Sequence, residues 1–259
     1  MINITPISRN EFSDLQEILN KKHISDIDNY CFYRFLSLRY ETYQELENGK
    51  RISPLKLHDY YKDNFIKLYS SLTKKAKCII NLIINNNICN FNLCLSCGIY
   101  EAVCLDHFLP KSDFPEYSIL HKNLIPICLG CNSKKSNHIP GFKNNYFHPY
   151  FDILPKECLF VISFIYTDDI PIATYSVKDK FNSSIFNSHV KSLDLLNRLS
   201  KKSNQILLQY KFMKNNYGLD LTLQTLQSDI LKSESNFGSF FWEYNFYSEV
   251  LRNKVIENI

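Results

Sequence analysis

Glycine is scarce, with only 6 in 259 residues. A chain so poor in the residue that turns most freely favours helices over a barrel or a loop-rich fold. Long apolar runs are missing as well. The longest, Cys78–Ile84 and Cys158–Tyr166, fall well short of the roughly 20 residues that span a bilayer. The first residues, Met1-Ile2-Asn3-Ile4-Thr5, carry neither the basic nor the apolar segment of a secretory signal. The expectation is a cytosolic chain with reduced thiols. Neither sign of charge is in strong excess. A formal net charge of +4 permits contact with nucleic acid without demanding it, because a dense basic face is the clearer footprint. There is no internal repeat and no low-complexity tail. What remains is 45% hydrophobic and 22% charged, enough for ordinary globular cores in one or two domains.

Hydrophobic periodicity predicts helices over 8–22, with Ser8 and Glu11 as a capping box, and over 28–47, ending near Gly49. A third is expected to start at Ser53-Pro54, and the apolar stretch after it to end at Asn85-Asn86-Asn87. Residues 90–150 differ in kind. They hold five of the nine prolines and two short apolar runs, Val103–Leu105 and Leu124–Ile127, read as strands before a helix. A hairpin is expected from Phe160–Tyr166 and Ile170–Val177 through Asp168-Asp169. Helical spacing returns over 185–213, 221–233 and 239–256. The fold class read from this is mainly α with a small α+β insert. The division is a helical region 1–88, a metal module 89–152, and a hairpin with C-terminal helices 153–259. The aromatic-rich stretch Phe237–Tyr247 is read as core.

Cysteine carries the main signal. Cys94/Cys97 and Cys128/Cys131 form two CxxC pairs with 30 residues between them. Each pair can offer two thiolates to one ion, and two pairs make a closed tetrahedral zinc site. The spacing exceeds the roughly 15–20 residues of a simple zinc ribbon, so the closed loop has room for other groups. It holds Asp106, His107 and Asn123, with Asn132 directly after the last cysteine. The other five cysteines (Cys31, Cys78, Cys89, Cys104, Cys158) are read as small buried hydrophobes.

Phosphodiester hydrolysis needs a general base, a divalent cation and groups that hold both in register. His107 suits the first task. Asp106 and the Asn132 amide oxygen suit Mg²⁺ or Mn²⁺. Adjacent strand residues point to opposite faces, so Asp106 and His107 must lie at a strand end to converge. Lys135, three residues after Asn132 on one helical side, is a phosphate contact in this reading. Lys134 and His148 are further candidate substrate contacts. His121 and His138 are read as exposed loop or helix-end residues.

Leu105-Asp106-His107-Phe108-Leu109-Pro110, Lys122-Asn123-Leu124-Ile125-Pro126-Ile127-Cys128 and Cys131-Asn132-Ser133-Lys134-Lys135 resemble the HNH endonuclease motif, in the branch whose ββα-metal core is supported by a four-cysteine zinc site. The resemblance implies that His107 is the general base, that Asp106 and Asn132 hold the catalytic metal, that Asn123 fixes the loop and so orients His107, and that Lys135 contacts the phosphate or transition state. The third motif position is Asn132 rather than histidine. Phe114-Pro115-Glu116-Tyr117 and His148-Pro149-Tyr150-Phe151-Asp152 are similar to the HNH subunit of Septu-type anti-phage defence. That resemblance implies a bacterial cytoplasmic nuclease acting on phage or plasmid DNA with an ABC/SMC-type ATPase, sometimes beside a retron, and partner docking through the helical flanks. Between 94 and 149 five lysines (111, 122, 134, 135, 143) face four acids (101, 106, 113, 116), so DNA affinity without a partner should be modest. The rival readings are a non-catalytic zinc adaptor that binds nucleic acid or protein, and a stand-alone restriction or homing nuclease.

Overall fold

The computed structural model describes residues 1–21, 30–48, 52–135, 146–167, 170–239 and 241–259. The expected helix boundaries at Asp28 and Gly49, His138, the Asp168-Asp169 turn and Phe240 lie outside these residues, as does the Cys31 side chain. The protein is mainly helical, with nine α-helices and two small two-stranded sheets among the described residues. None of those helices is long and apolar enough to cross a membrane. The chain forms two compact units, Met1–Ile153 and Leu154–Ile259.

In the first unit, α1 (Glu11–Lys21), α2 (Tyr30–Gln44), α3 (Asp59–Ser70) and α4 (Lys74–Ile88) precede β1 (Cys104–His107), β2 (Leu124–Ile127) and the short α5 (Leu129–Lys135). Two helix starts differ from expectation because a later side chain takes the capping role. Asn10 rather than Ser8 accepts from the Ser13 N–H at 2.9 Å. His58, not Ser53, caps α3 by accepting from the Tyr60 N–H at 3.3 Å. β1 pairs antiparallel with β2, with Cys104 opposite Ile127 and His107 opposite Leu124. The strand runs two residues beyond the expected Val103–Leu105 and ends at His107.

The core of this unit draws Leu15, Ile18 and Leu19 from α1, Leu36, Tyr40 and Tyr43 from α2, Phe65 and Leu68 from α3, and Ile79 and Ile83 from α4. These pack on Phe114, Tyr117, Ile119, Leu120 and Leu124, which belong to the stretch between the knuckles. The N-terminal helices and that stretch therefore share one apolar interior. Burial is the dominant favourable contribution to folding, so each part stabilises the other through this interior.

In the second unit, β3 (Phe160–Thr167) and β4 (Ile170–Val177) form an antiparallel hairpin in register from Phe160↔Val177 to Thr167↔Ile170. It is followed by α6 (Ile185–Ser192), α7 (Leu195–Tyr217), α8 (Leu219–Phe237) and α9 (Trp242–Arg252). The single helical spacing expected over 185–213 is broken between α6 and α7, where Asp194 adopts a left-handed backbone with φ +52°. Short polar side chains are among the residues that tolerate that conformation. Ser200 donates to the Ala173 carbonyl at 2.5 Å and Asn204 accepts from the Ala173 N–H at 2.8 Å. Two α7 side chains thereby satisfy backbone groups of β4 that the two-stranded sheet leaves unpaired.

Two burial expectations fail. Cys78 and Cys89 are exposed and Cys104 is half-buried, leaving Cys158 as the buried thiol outside the two pairs among the described residues. Both exposed thiols belong to α4 and its C-cap, whose other face supplies the core. His121 is buried, with Nε2 3.5 Å from Glu11 Oε1.

Candidate functional site

Gly98 turns the first knuckle at φ +66°, a conformation glycine adopts without penalty. Its N–H donates to the Cys94 carbonyl at 2.7 Å. The second knuckle leads directly into α5. The four sulfurs of Cys94, Cys97, Cys128 and Cys131 lie within 4.8 Å of one another, and all four residues are buried. Cys97 Sγ and Cys128 Sγ are 3.9 Å apart. Zn–S bonds of about 2.3 Å in a tetrahedron put sulfurs about 3.8 Å apart, so the donor set fits such an ion. The Ile99 and Cys131 N–H groups point at the sulfurs of Cys97 and Cys128, each at 3.4 Å, as outer partners of metal thiolates do. Hydrogen bonds from its three neighbours drive the Cys128 thiol down, whereas burial pushes Cys94 up. These four cysteines form a group that can hold a structural metal such as zinc.

β1 then delivers Asp106 and His107. The His107 ring is buried and packs edge-on to Tyr69 of α3, with centroids 4.5 Å apart. Its Nε2 lies 2.9 Å from the Ser118 carbonyl oxygen. A carbonyl only accepts, so Nε2 carries the proton and Nδ1 keeps its lone pair. Burial pushes this imidazole down to about 4, and the nearby Lys111 and Lys135 charges act in the same direction. His107 is therefore neutral at physiological pH. Ser118 is itself tied down, donating its hydroxyl to the Phe65 carbonyl at 2.6 Å.

Asn123 uses its whole amide. Oδ1 accepts from the Leu109 N–H at 2.7 Å and the Tyr43 hydroxyl at 3.0 Å, while Nδ2 donates to the Leu109 and Tyr117 carbonyls, both at 3.1 Å. It thus cross-ties the loop that follows His107 to the residues preceding β2. The backbone adds the Phe108 N–H to the Asn123 carbonyl at 2.8 Å.

Lys135 departs from its expected role. Its ammonium is buried, ion-paired to Asp106 Oδ2, and donates to the His107 carbonyl at 2.5 Å. It serves as a counter-ion inside the site rather than a group facing solvent. Lys134 is exposed on α5. Asn132 is also exposed, and its side chain reaches the Cys104 thiol. Cys104 and Asp106, two apart on β1, share a strand face, so Asn132 borders the side of the strand that carries Asp106. An amide that donates through nitrogen keeps its oxygen free, and Lys135 engages only one of the two Asp106 carboxylate oxygens. Hard oxygen donors of this kind suit Mg²⁺ or Mn²⁺.

His148 does not reach a surface. It is buried between Phe108 and Phe151, with centroids at 4.0 and 4.3 Å, and burial pushes it down to about 3. Its Nδ1 accepts from the Tyr150 N–H, its Nε2 meets Tyr43 Oη, and its own N–H donates to Asp152 Oδ2 at 2.6 Å. A ring with both nitrogens engaged inside the fold is part of the scaffold, which corrects its reading as a substrate contact.

Tyr43, Tyr69, Ser118 and Lys111 are site neighbours that sequence reasoning missed. Lys111 stacks its ammonium 5.1 Å above the Tyr69 ring. Its closeness to Asp106 along the chain was the one available signal.

No family model matches this chain, and no solved structure matches it. Two curated proteins do. Protein ea31 of Escherichia phage lambda is 25% identical over 162 residues, covering 54% of this chain and 53% of that protein. Septu protein PtuB of Bacillus thuringiensis is 35% identical over 57 residues, covering 22% of each chain. The chain thus spans about half the length of the first and about a fifth of the second. The similarity to the Septu protein is therefore partial, confined to 57 residues.

Proposed function

We propose that residues 94–135 form an HNH-type endonuclease centre that hydrolyses DNA phosphodiester bonds. The observation that carries the reading is the state of His107: a neutral imidazole at a strand end, with Nε2–H on the Ser118 carbonyl and Nδ1 unprotonated. It stands beside Asp106 in a β-β-α segment whose ends carry the four cysteines. Nδ1 takes a proton from water as the water oxygen attacks phosphorus; the bond to the 3′-oxygen breaks to leave a 5′-phosphate, and the departing 3′-oxygen takes a proton from solvent water to become the hydroxyl. A base near 4 is weak. The negative charge of a bound phosphodiester favours the protonated ring and raises it toward the working range. Asp106 and Asn132 would hold a Mg²⁺ or Mn²⁺ ion, which when bound offsets charge on the leaving 3′-oxygen. Lys111, above Tyr69 and close to His107, is the better candidate for a phosphate contact, since Lys135 is paired with Asp106.

The similarity to the Septu protein hints at a role in anti-phage defence. An ATPase partner, and a retron beside it, belong to this proposal. The test is Mg²⁺-dependent nicking of supercoiled plasmid by the wild-type chain beside His107→Ala. Nicking by the wild type and its loss by a factor of at least about 100 in the folded variant are expected, in line with removal of a general base. Equal nicking by both would overturn the assignment of the base. A non-catalytic zinc adaptor would instead keep its biological activity in His107→Ala.

A further inference from the structure

Tyr43 sits 80 residues before Asn123 in sequence, and its hydroxyl meets the Asn123 amide. The side chain is fully buried. Its ring packs against Tyr117 and Phe151, with centroids 5.0 and 6.0 Å away. Three polar groups surround Oη: the Lys122 carbonyl at 3.2 Å, Asn123 Oδ1 at 3.0 Å and His148 Nε2 at 3.3 Å.

The direction of these bonds follows from donor counting. His148 Nδ1 accepts from the Tyr150 N–H at 3.3 Å, so in the neutral ring the proton is on Nε2. That proton points at Tyr43 Oη. The phenol then has one proton of its own to give, and Asn123 Oδ1 is its nearer acceptor. Asn123 Oδ1 also takes the Leu109 N–H. The chain of donors runs His148 to Tyr43 to Asn123 Oδ1, the oxygen to which the Leu109 N–H of the loop that follows His107 also donates. It also fixes which end of the Asn123 amide is oxygen, because the phenol proton must meet an acceptor there.

We propose that Tyr43 and His148 are positioning residues of the His107 centre, a two-link hydrogen-bond relay that sets the Asn123 amide and through it the loop that aims His107. This rests on the nuclease reading above. The alternative is that both rings serve packing alone, and the two differ in what one hydroxyl does. Tyr43→Phe keeps the ring and removes only Oη. The relay predicts a loss of about tenfold or more in kcat, as outer partners of a site typically give, with KM for plasmid unchanged within about twofold. His148→Phe, which keeps an aromatic ring in the cage, should lose activity in the same way. The double variant should lose no more than the worse single one, because links of one chain are not additive.

A second readout needs no catalysis. In protein labelled with ¹⁵N-histidine, His148 should show a protonated Nε2 and a bare Nδ1. In Tyr43→Phe, hydrogen exchange at the Leu109 amide should rise while amides of α7 do not change. Wild-type kcat in a folded Tyr43→Phe protein would overturn the relay. So would additive losses, an Nδ1-protonated His148, or unchanged Leu109 exchange. A wild-type chain that nicks no DNA counts against the nuclease reading, and the relay then stands or falls on the exchange and nitrogen signals.

Discussion

His148 is neutral because water does not reach it, and that has a cost in acid. A free histidine titrates near 6.5, whereas burial holds this one near 3. Between those values the unfolded chain binds more protons than the folded one. Stability is therefore fully present above about pH 6.5 and is lost as pH falls through the window. His107, held near 4, adds to the slope in the same direction. Thermal unfolding followed from pH 7 to pH 4 should show a falling midpoint for the unit that holds both rings, and His148→Phe should flatten the fall. An equal slope in the two proteins would mean that other groups govern the acid limb. His121 follows the same logic: burial pushes it down too, although in the sequence it reads as an exposed loop or helix-end residue.

At the scale of elements, α2 is the least expected participant. Its sequence predicted a helix and nothing more, and Tyr40 is core. Arg39 and Tyr43, one turn apart, are a clamp on the loop between the knuckles. The Arg39 guanidinium pairs with Glu116 at 2.6 Å, and the Arg39 carbonyl accepts from the Tyr117 hydroxyl at 2.8 Å. The sequence could not announce this, because the partners lie nearly 80 residues apart and one of them is a backbone carbonyl. The cysteines were legible for the opposite reason: ligation by a CxxC turn is a local constraint that spacing records directly. So were β2 and the hairpin strands, whose apolar runs are short and bounded. Helix starts were not, since Ser8, Asn10, Ser53 and His58 can all cap and packing chose among them. A closed four-thiolate site couples metal binding to folding, which leads to a direct test. Metal binding at such sites is worth about 10–16 kcal/mol of apparent free energy at neutral pH. Cys128→Ser should lose the ion, expose α5 to protease and lower the unfolding midpoint sharply. A soluble, metal-free Cys128→Ser protein that melts like the wild type would refute a structural role for the site.

At the scale of the molecule, a chain that divides into two compact units is expected to unfold in two steps. Calorimetry should resolve two transitions. A strong chelator should lower only the transition of residues 1–153, which contain all four clustered cysteines. A single transition that shifts as a whole would argue against independent units. Within the first unit, the carboxylate of Glu116 is wholly shielded from solvent and its guanidinium partner nearly so. Removing one member of a buried pair leaves an uncompensated charge, at a cost of about 3–5 kcal/mol, whereas replacing both with apolar groups is often tolerated. Positions 39 and 116 are therefore heritable as a couple. A chimera that takes its first hundred residues from one parent and the rest from another, where the parents differ at this pair, inherits half of it and should not accumulate as folded protein. Crossovers that succeed will fall outside the interval between them.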